Sequence, residues 1–180
     1  MEQLLLLQET KISEILGRQV DPRLEASGLL AKDGVFYVIF DNFADIACLD
    51  GRLSPESSEN RLIRQKHGRH RGFEDIAYDH WSQRYYVLIE SQPCRSGHFM
   101  AKVQEYDQNL RYQSDAWLDF TLQRPNKGLE GLTCIHRDGE TLLLGLCEGN
   151  GTSSTGDYLH LPSQRRRSGD LLQHRGCLLD

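Results

Sequence analysis

The 180-residue chain has a 38% hydrophobic and 8% aromatic fraction, enough for one domain with a sizeable core. Twenty-one Lys and Arg against 26 Asp and Glu leave a formal charge of −5, so no global basic field exists to attract nucleic acid. The five cysteines, Cys48, Cys94, Cys134, Cys147 and Cys177, are odd in number and lack CxxC spacing, which argues against a disulfide framework or a zinc knuckle.

The chain opens with Leu4-Leu5-Leu6-Leu7, a run of four apolar residues with Glu2 and Glu9 on either side. That is too short and too acidic for a secretory signal, and no run approaches the roughly 20 apolar residues of a membrane span. A cytoplasmic location and no membrane partner are therefore expected. Thr10 to Leu16 carries the only hint of helical period, and its state stays open. Three related stretches then follow: Glu25 to Asp41, Glu74 to Glu90, and Glu130 to Glu148. Each opens with Glu, runs a short apolar strand, turns through polar residues, and runs a second apolar strand that ends in an acid. The turns are Lys32-Asp33-Gly34, His80-Trp81-Ser82-Gln83 and Arg137-Asp138-Gly139. Asp-Gly between apolar runs is a strong hairpin signal. Ile46 to Leu49 and Arg61 to Arg64 supply further strands after the first hairpin; Phe99 to Tyr106 and Tyr112 to Phe120 do so after the second.

The opening glutamates recur after 49 and then 56 residues, and a period near 40–50 with several strands per unit predicts one propeller blade per repeat. The expected fold is all-β: an incomplete β-propeller of about three four-stranded antiparallel blades. A β-sandwich with coincidental hairpins is the competing fold. Propellers typically close with four to eight blades. After Gly149 the chain turns into a polar tract and a basic stretch, Ser163 to Asp170, with no strand pattern. The expected division is a partial propeller over 1–150 and a polar, basic tail over 151–180, disordered or out of frame as in a truncated product, with a native basic extension as the other reading. An unclosed fan leaves sheet edges through which copies can associate.

If successive inner strands line one axis, Glu25, Glu74 and Glu130 form a ring, with Asp41, Glu90 and Glu148 as a second tier and Asn42 and Asn150 as neutral oxygen donors. Converging carboxylates repel unless a cation lies between them, and an all-oxygen set suits calcium. A structural latch, each Glu accepting backbone N–H groups of the next blade, requires the same residue. Arg61 to Arg71 contains Arg64, Lys66, Arg69 and Arg71, whose donors match phosphate oxygens and would serve a small phosphorylated ligand; a solvated inter-blade loop is the other reading. No G-x-S-x-G occurs, so no catalytic triad is assigned.

Glu25-Ala-Ser-Gly-Leu29, Gly72-Phe-Glu-Asp-Ile-Ala77, and Asn126 through Asn150 carry a family likeness. Over residues 20–150 the chain resembles the "esterase-like activity of phytase" group of bacterial propellers and is similar to the SdiA-regulated proteins. The resemblance implies a calcium-binding propeller with phosphoesterase potential, leaving a periplasmic or secreted location open. It matches Glu25, Glu74 and Glu130 to the motif acids and Glu90 and Glu148 to the hairpin-end acids. The first unit departs by ending in Asp41-Asn42.

Overall fold

Each of the three expected hairpins forms, and two of them turn through an Asp-Gly pair. In the computed structural model, which describes residues 3–17, 23–65, 72–94, 97–118, 121–122, 125, 128–147 and, as backbone, 157–162, the first hairpin joins β1 (Ala26–Lys32) to β2 (Val35–Phe40). Its two turn residues, Asp33 and Gly34, both take positive φ, 52° and 74°, the geometry that matches the twist of two flanking strands. Asp138 and Gly139 repeat this at 53° and 78° between β9 (Leu129–Arg137) and β10 (Glu140–Cys147). The middle hairpin, β5 (Phe73–Asp79) to β6 (Arg84–Pro93), has a four-residue loop instead. There Asp79 replaces glycine chemistry, accepting hydrogen bonds from the Trp81 and Ser82 amides and from the Ser82 hydroxyl.

β3 (Ile46–Asp50) and β4 (Arg61–Ile63) complete the first sheet in the order β1-β2-β3-β4. β7 (Phe99–Tyr106) and β8 (Tyr112–Trp117) complete the second, β5-β6-β7-β8. All neighbours are antiparallel and sequential, and the innermost strands β1, β5 and β9 abut in turn. Three such meanders stacked by their inner strands make three blades of an open β-propeller. The third sheet has three strands among the described residues, because β11 (Asp157–Pro162) pairs with β10 from Leu142↔Pro162 to Cys147↔Asp157. Sheet pairing thus continues past residue 150, where the sequence placed the end of the propeller. β10 offers a second edge, and the chain beyond the polar tract returns to fill it.

The core lies between the blades. Ile39, Ile46 and Cys48 of blade 1 pack against Phe73, Ile76, Tyr85, Val87 and Ile89 of blade 2. Leu88, Ala101 and Val103 on the other face of blade 2 meet Leu129, Leu132, Leu143 and Cys147 of blade 3. Covering both faces explains why Val38-Ile39-Phe40 and Val87-Leu88-Ile89 are unbroken apolar runs rather than alternating ones. Thr10 to Leu16 resolves into a short helix, α1 (Ile12–Leu16), whose Ile15 and Leu16 cover Val38, Phe40, Ala47 and Leu49 on the outer face of blade 1. Among the described residues, no helix is long and apolar enough to cross a membrane. Gly28 sets the approach of blades 1 and 2: a Cβ there would lie 2.9 Å from the Ile39 side chain and 3.0 Å from the Asp75 Cα.

Candidate metal centre

The pairing registers locate the repeated acids. In β5 the register shifts between Phe73 and Asp75, so Glu74 is an extra, bulged residue; in β9, Leu129 and Gly131 face consecutive residues of β10, so Glu130 is bulged likewise. A bulge interrupts the ladder and re-aims its side chain. In β1 the shift falls between Ala26 and Gly28, which makes Ser27 the equivalent of Glu74 and Glu130. Glu25 therefore stands two residues earlier, in register with Gly72 and Gly128, and the first repeat carries serine at the bulge. Glu25 shares its residue type with Glu74 and Glu130 but not their place in the register. Aligning Ser27-Gly28-Leu29 with Glu130-Gly131-Leu132 gives the observed register.

The closing acids do correspond. Asp41 and Glu90 each follow the last paired residue opposite the bulge, Phe40 and Ile89, and Glu148, outside the described residues, follows Cys147 in the same way. A run of backbone hydrogen bonds ties these ends together across blades 1 and 2. The Asp41 amide donates to the Glu25 carbonyl at 2.9 Å, the Gly72 amide to the Asp41 carbonyl at 2.7 Å, and the Glu90 amide to the Gly72 carbonyl at 2.6 Å. Gly72 has φ +78°, and a Cβ on it would sit 2.9 Å from the Glu90 Cβ and 3.0 Å from the Glu90 Oε2. Glycine is needed here for both reasons.

This bridge brings three carboxylates together. Asp41, Glu74 and Glu90 each offer an oxygen, and the three lie within 4.8 Å of one another. Oxygens held 2.3–2.6 Å from one ion are at most about 5 Å apart, so the set fits a single hard cation, whereas it has none of the nitrogen or sulfur ligands that favour zinc. Asp41 is exposed and the two glutamates are half-buried. Burial, and then the charge of Asp41, push the Glu90 carboxyl above its ordinary 4.5. The arrangement is one that a cation would stabilise.

The remaining expected ligands are placed elsewhere or lie outside the described residues. Glu25 and Glu130 are exposed and are not members of the three-carboxylate group. The Asn42 side chain is engaged with backbone, its Oδ1 accepting from the Glu25 amide at 3.2 Å and its Nδ2 donating to the Arg23 carbonyl at 2.6 Å. Arg64 Nη1 lies 3.3 Å from Oδ2 of Asp45, a buried carboxylate that also accepts the Gln65 amide. Lys66, Arg69, Arg71 and Asn150 lie outside the described residues. Asp41 entered the sequence reading only as a second-tier acid. Its pairing with Glu74 and Glu90 depends on the Gly72 bridge, which is a contact between blades and leaves no local pattern.

Asp75, next to the bulge, joins blades 2 and 3. Its Oδ2 accepts the Leu132 amide at 2.7 Å and its Oδ1 the Ile76 amide at 2.8 Å, while burial pushes its carboxyl above the ordinary value. The latch role expected of the repeated glutamates is filled by this aspartate.

No family model matches the chain, and no curated protein does. Among solved structures it is similar to "Structure of YjhT", with 14% identity, a TM-score of 0.39, and coverage of 69% of this chain and 35% of that one. It is also similar to an exo-1,5-α-L-arabinanase from a bovine ruminal metagenomic library, with 12% identity, a TM-score of 0.40, and coverage of 81% of this chain and 55% of that one. The chain thus spans about a third and about half of these two neighbours.

Proposed function

We propose that the chain is a calcium-dependent, phytase-like phosphoesterase propeller whose cation is held by Asp41, Glu74 and Glu90. The observation that carries this is the convergence of those three carboxylates at the junction of blades 1 and 2. A bound cation would neutralise phosphate charge and activate water for attack on the ester. Three ionised carboxylates and one divalent ion still sum to a single negative charge, so a phosphate ester needs further positive groups. The basic run that leads into Gly72, with Arg64, Lys66, Arg69 and Arg71, supplies them in sequence. Arg64 reaches such a ligand only by sharing its guanidinium with Asp45.

Calorimetric titration of the full chain with CaCl2 tests the site, and turnover of p-nitrophenyl phosphate and phytate with calcium present tests the activity. One calcium ion per chain, lost in Glu74→Gln with the fold retained, is the expected result. No binding by wild type rejects the metal site. Binding without turnover of either ester rejects the enzyme and leaves a non-catalytic, ligand-binding propeller.

A further inference from the structure

The β5–β6 hairpin turns at the far end of its inner strand from the carboxylate group. At about 3.3 Å per residue, Asp79 lies about 16 Å along β5 from Glu74. The hairpins on either side turn through two residues, Asp33-Gly34 and Asp138-Gly139, whereas this one uses four, His80-Trp81-Ser82-Gln83. The longer loop carries an indole that its own shape does not require. Asp79 holds the loop by accepting the Trp81 and Ser82 amides and the Ser82 hydroxyl, contacts that another side chain at 81 would leave in place. Trp81 is nevertheless 75% exposed, a large apolar body left in water. It crosses the junction to blade 3 and stacks on His136, with ring centroids 4.6 Å apart and planes 21° from parallel. The imidazole backs one face of the indole and fixes its plane, and the exposure leaves the opposite face to solvent.

A fixed, open aromatic face takes a ligand by stacking, and the charges around it decide which. His80, beside Trp81, packs T-shaped against Tyr78 with centroids 4.9 Å apart, and Lys32 Nζ lies 4.6 Å from the Tyr78 centroid. The surface therefore continues from blade 3 back to blade 1. Its charges come in neutralising pairs: Lys32 with Asp33, and Arg137 with Asp138, whose Nε and Oδ2 are 3.4 Å apart. Paired charges give neither the net positive field that phosphates need nor the net negative one that favours a cation. A neutral sugar fits. The polarised C–H groups on one face of its ring meet the negative face of the indole. Its hydroxyls, each both donor and acceptor, match guanidinium donors and carboxylate acceptors. The Arg137 and Asp138 side chains, next in sequence to His136, are 76% and 88% exposed and open to such a ligand. We propose that Trp81, backed by His136, is the stacking platform of a binding site for a neutral oligosaccharide, with Arg137 and Asp138 at its rim. The site is separate from the metal centre and does not depend on phosphoesterase activity.

Titration of the full chain with cellohexaose, xylohexaose and maltohexaose, read by calorimetry and tryptophan fluorescence, tests this. Trp81 and Trp117 are the two tryptophans, so Trp117→Phe isolates the Trp81 emission. At least one of the three saccharides is expected to bind with a dissociation constant of about 1 mM or tighter and to change that emission. Trp81→Ala should weaken binding about 10-fold or more with circular dichroism and melting unchanged, and Trp81→Phe should restore part of the affinity. Glu74→Gln should bind the saccharide as wild type does. The proposal is overturned if none of the three binds at about 10 mM, or if Trp81→Ala binds as tightly as wild type. Loss of saccharide binding in Glu74→Gln would move the ligand to the carboxylate end and overturn it too. So would tighter binding of hexathymidylate than of every saccharide, which would assign the platform to bases.

Discussion

Asp79 accepts four hydrogen bonds, one of them from the next blade, and replacing it tests how the blades are held together. Its Oδ1 accepts the Trp81 amide at 3.0 Å; its Oδ2 accepts the Ser82 amide at 3.1 Å, the Ser82 hydroxyl at 2.6 Å and the Thr141 hydroxyl of blade 3 at 2.5 Å. The first three shape the β5–β6 loop, and the fourth crosses to β10. A hydrogen bond to a charged group contributes about 1.5–3 kcal/mol, against about 1 for a neutral one. Asp79→Asn keeps the shape but loses the charge and presents an amide to some of these donors, so a loss of about 2 kcal/mol is expected. For a chain of this length that lowers the melting temperature by roughly 4–8 °C. Thr141→Val should cost about 1–2 kcal/mol, and the double variant less than the sum, with a coupling of about 1 kcal/mol. Urea unfolding followed by tryptophan fluorescence and circular dichroism measures all three. Burial raises the Asp79 carboxyl, but the Ser82, Thr141 and Trp81 donors outweigh it and hold the group below its ordinary 3.8. A depressed carboxylate contributes stability above its unfolded value, and that contribution disappears as pH falls through the folded one. The gap between wild type and Asp79→Asn should therefore be constant near neutrality and close on acidification below about pH 4. An Asp79→Asn variant within about 0.5 kcal/mol of wild type, or strict additivity with Thr141→Val, would refute the blade-bridging role.

Glu90 has the opposite sign: its carboxyl is raised above 4.5, so without a cation stability falls as pH rises from 4.5 through the folded value. Melting curves in EDTA should show that slope in wild type and lose it in Glu90→Gln, which should also melt slightly higher at neutral pH. With calcium at 100 times its dissociation constant, wild type should gain about 2.7 kcal/mol and Glu90→Gln much less, as read by thermal shift. Gly72→Ala places a Cβ against Glu90 at positive φ, so denaturation should show a loss of about 1–3 kcal/mol, and calcium titration should show weakened binding. Burial pushes the Cys48 thiol up to about 11 and the Cys134 thiol up to about 12, so at pH 8 both should resist a thiol reagent until urea unfolds the chain, as peptide mass spectrometry of the labelled protein will report.

The hairpins were legible because their signals are local. Asp33-Gly34 and Asp138-Gly139 specify a turn whatever surrounds them, and the apolar runs beside them fix strand type. Repetition singled out Glu74 and Glu90, two of the three carboxylates that converge, and matched Asp41 with Glu90 at equivalent register positions. The first bulge was not legible. A bulge is defined by which partner residue is skipped on the opposite strand, so Ser27 and Glu25 could be distinguished only once β1 had been paired with β2. The latch was likewise hidden, since Asp75 and Asp79 bond to Leu132 and Thr141, 57 and 62 residues away.

The acids of the repeat sit in two kinds of surroundings. Asp75 and Asp79 each accept a donor from the next blade, the Leu132 amide and the Thr141 hydroxyl. Glu90 shares its group with the carboxylates of Asp41 and Glu74, and burial and the charge of Asp41 raise its carboxyl. That group draws one residue from blade 1 and two from blade 2, joined through the Gly72 bridge. A cation there would bind two blades at once, so its affinity and the docking of blade 1 on blade 2 must be thermodynamically linked. Loosening the docking, by adding a side chain at Gly28 where blade 1 meets the Asp75 backbone, should weaken calcium binding although Gly28 is not one of the three carboxylate residues. Calcium affinity unchanged in a destabilised but folded Gly28→Ala variant would show that the two are independent.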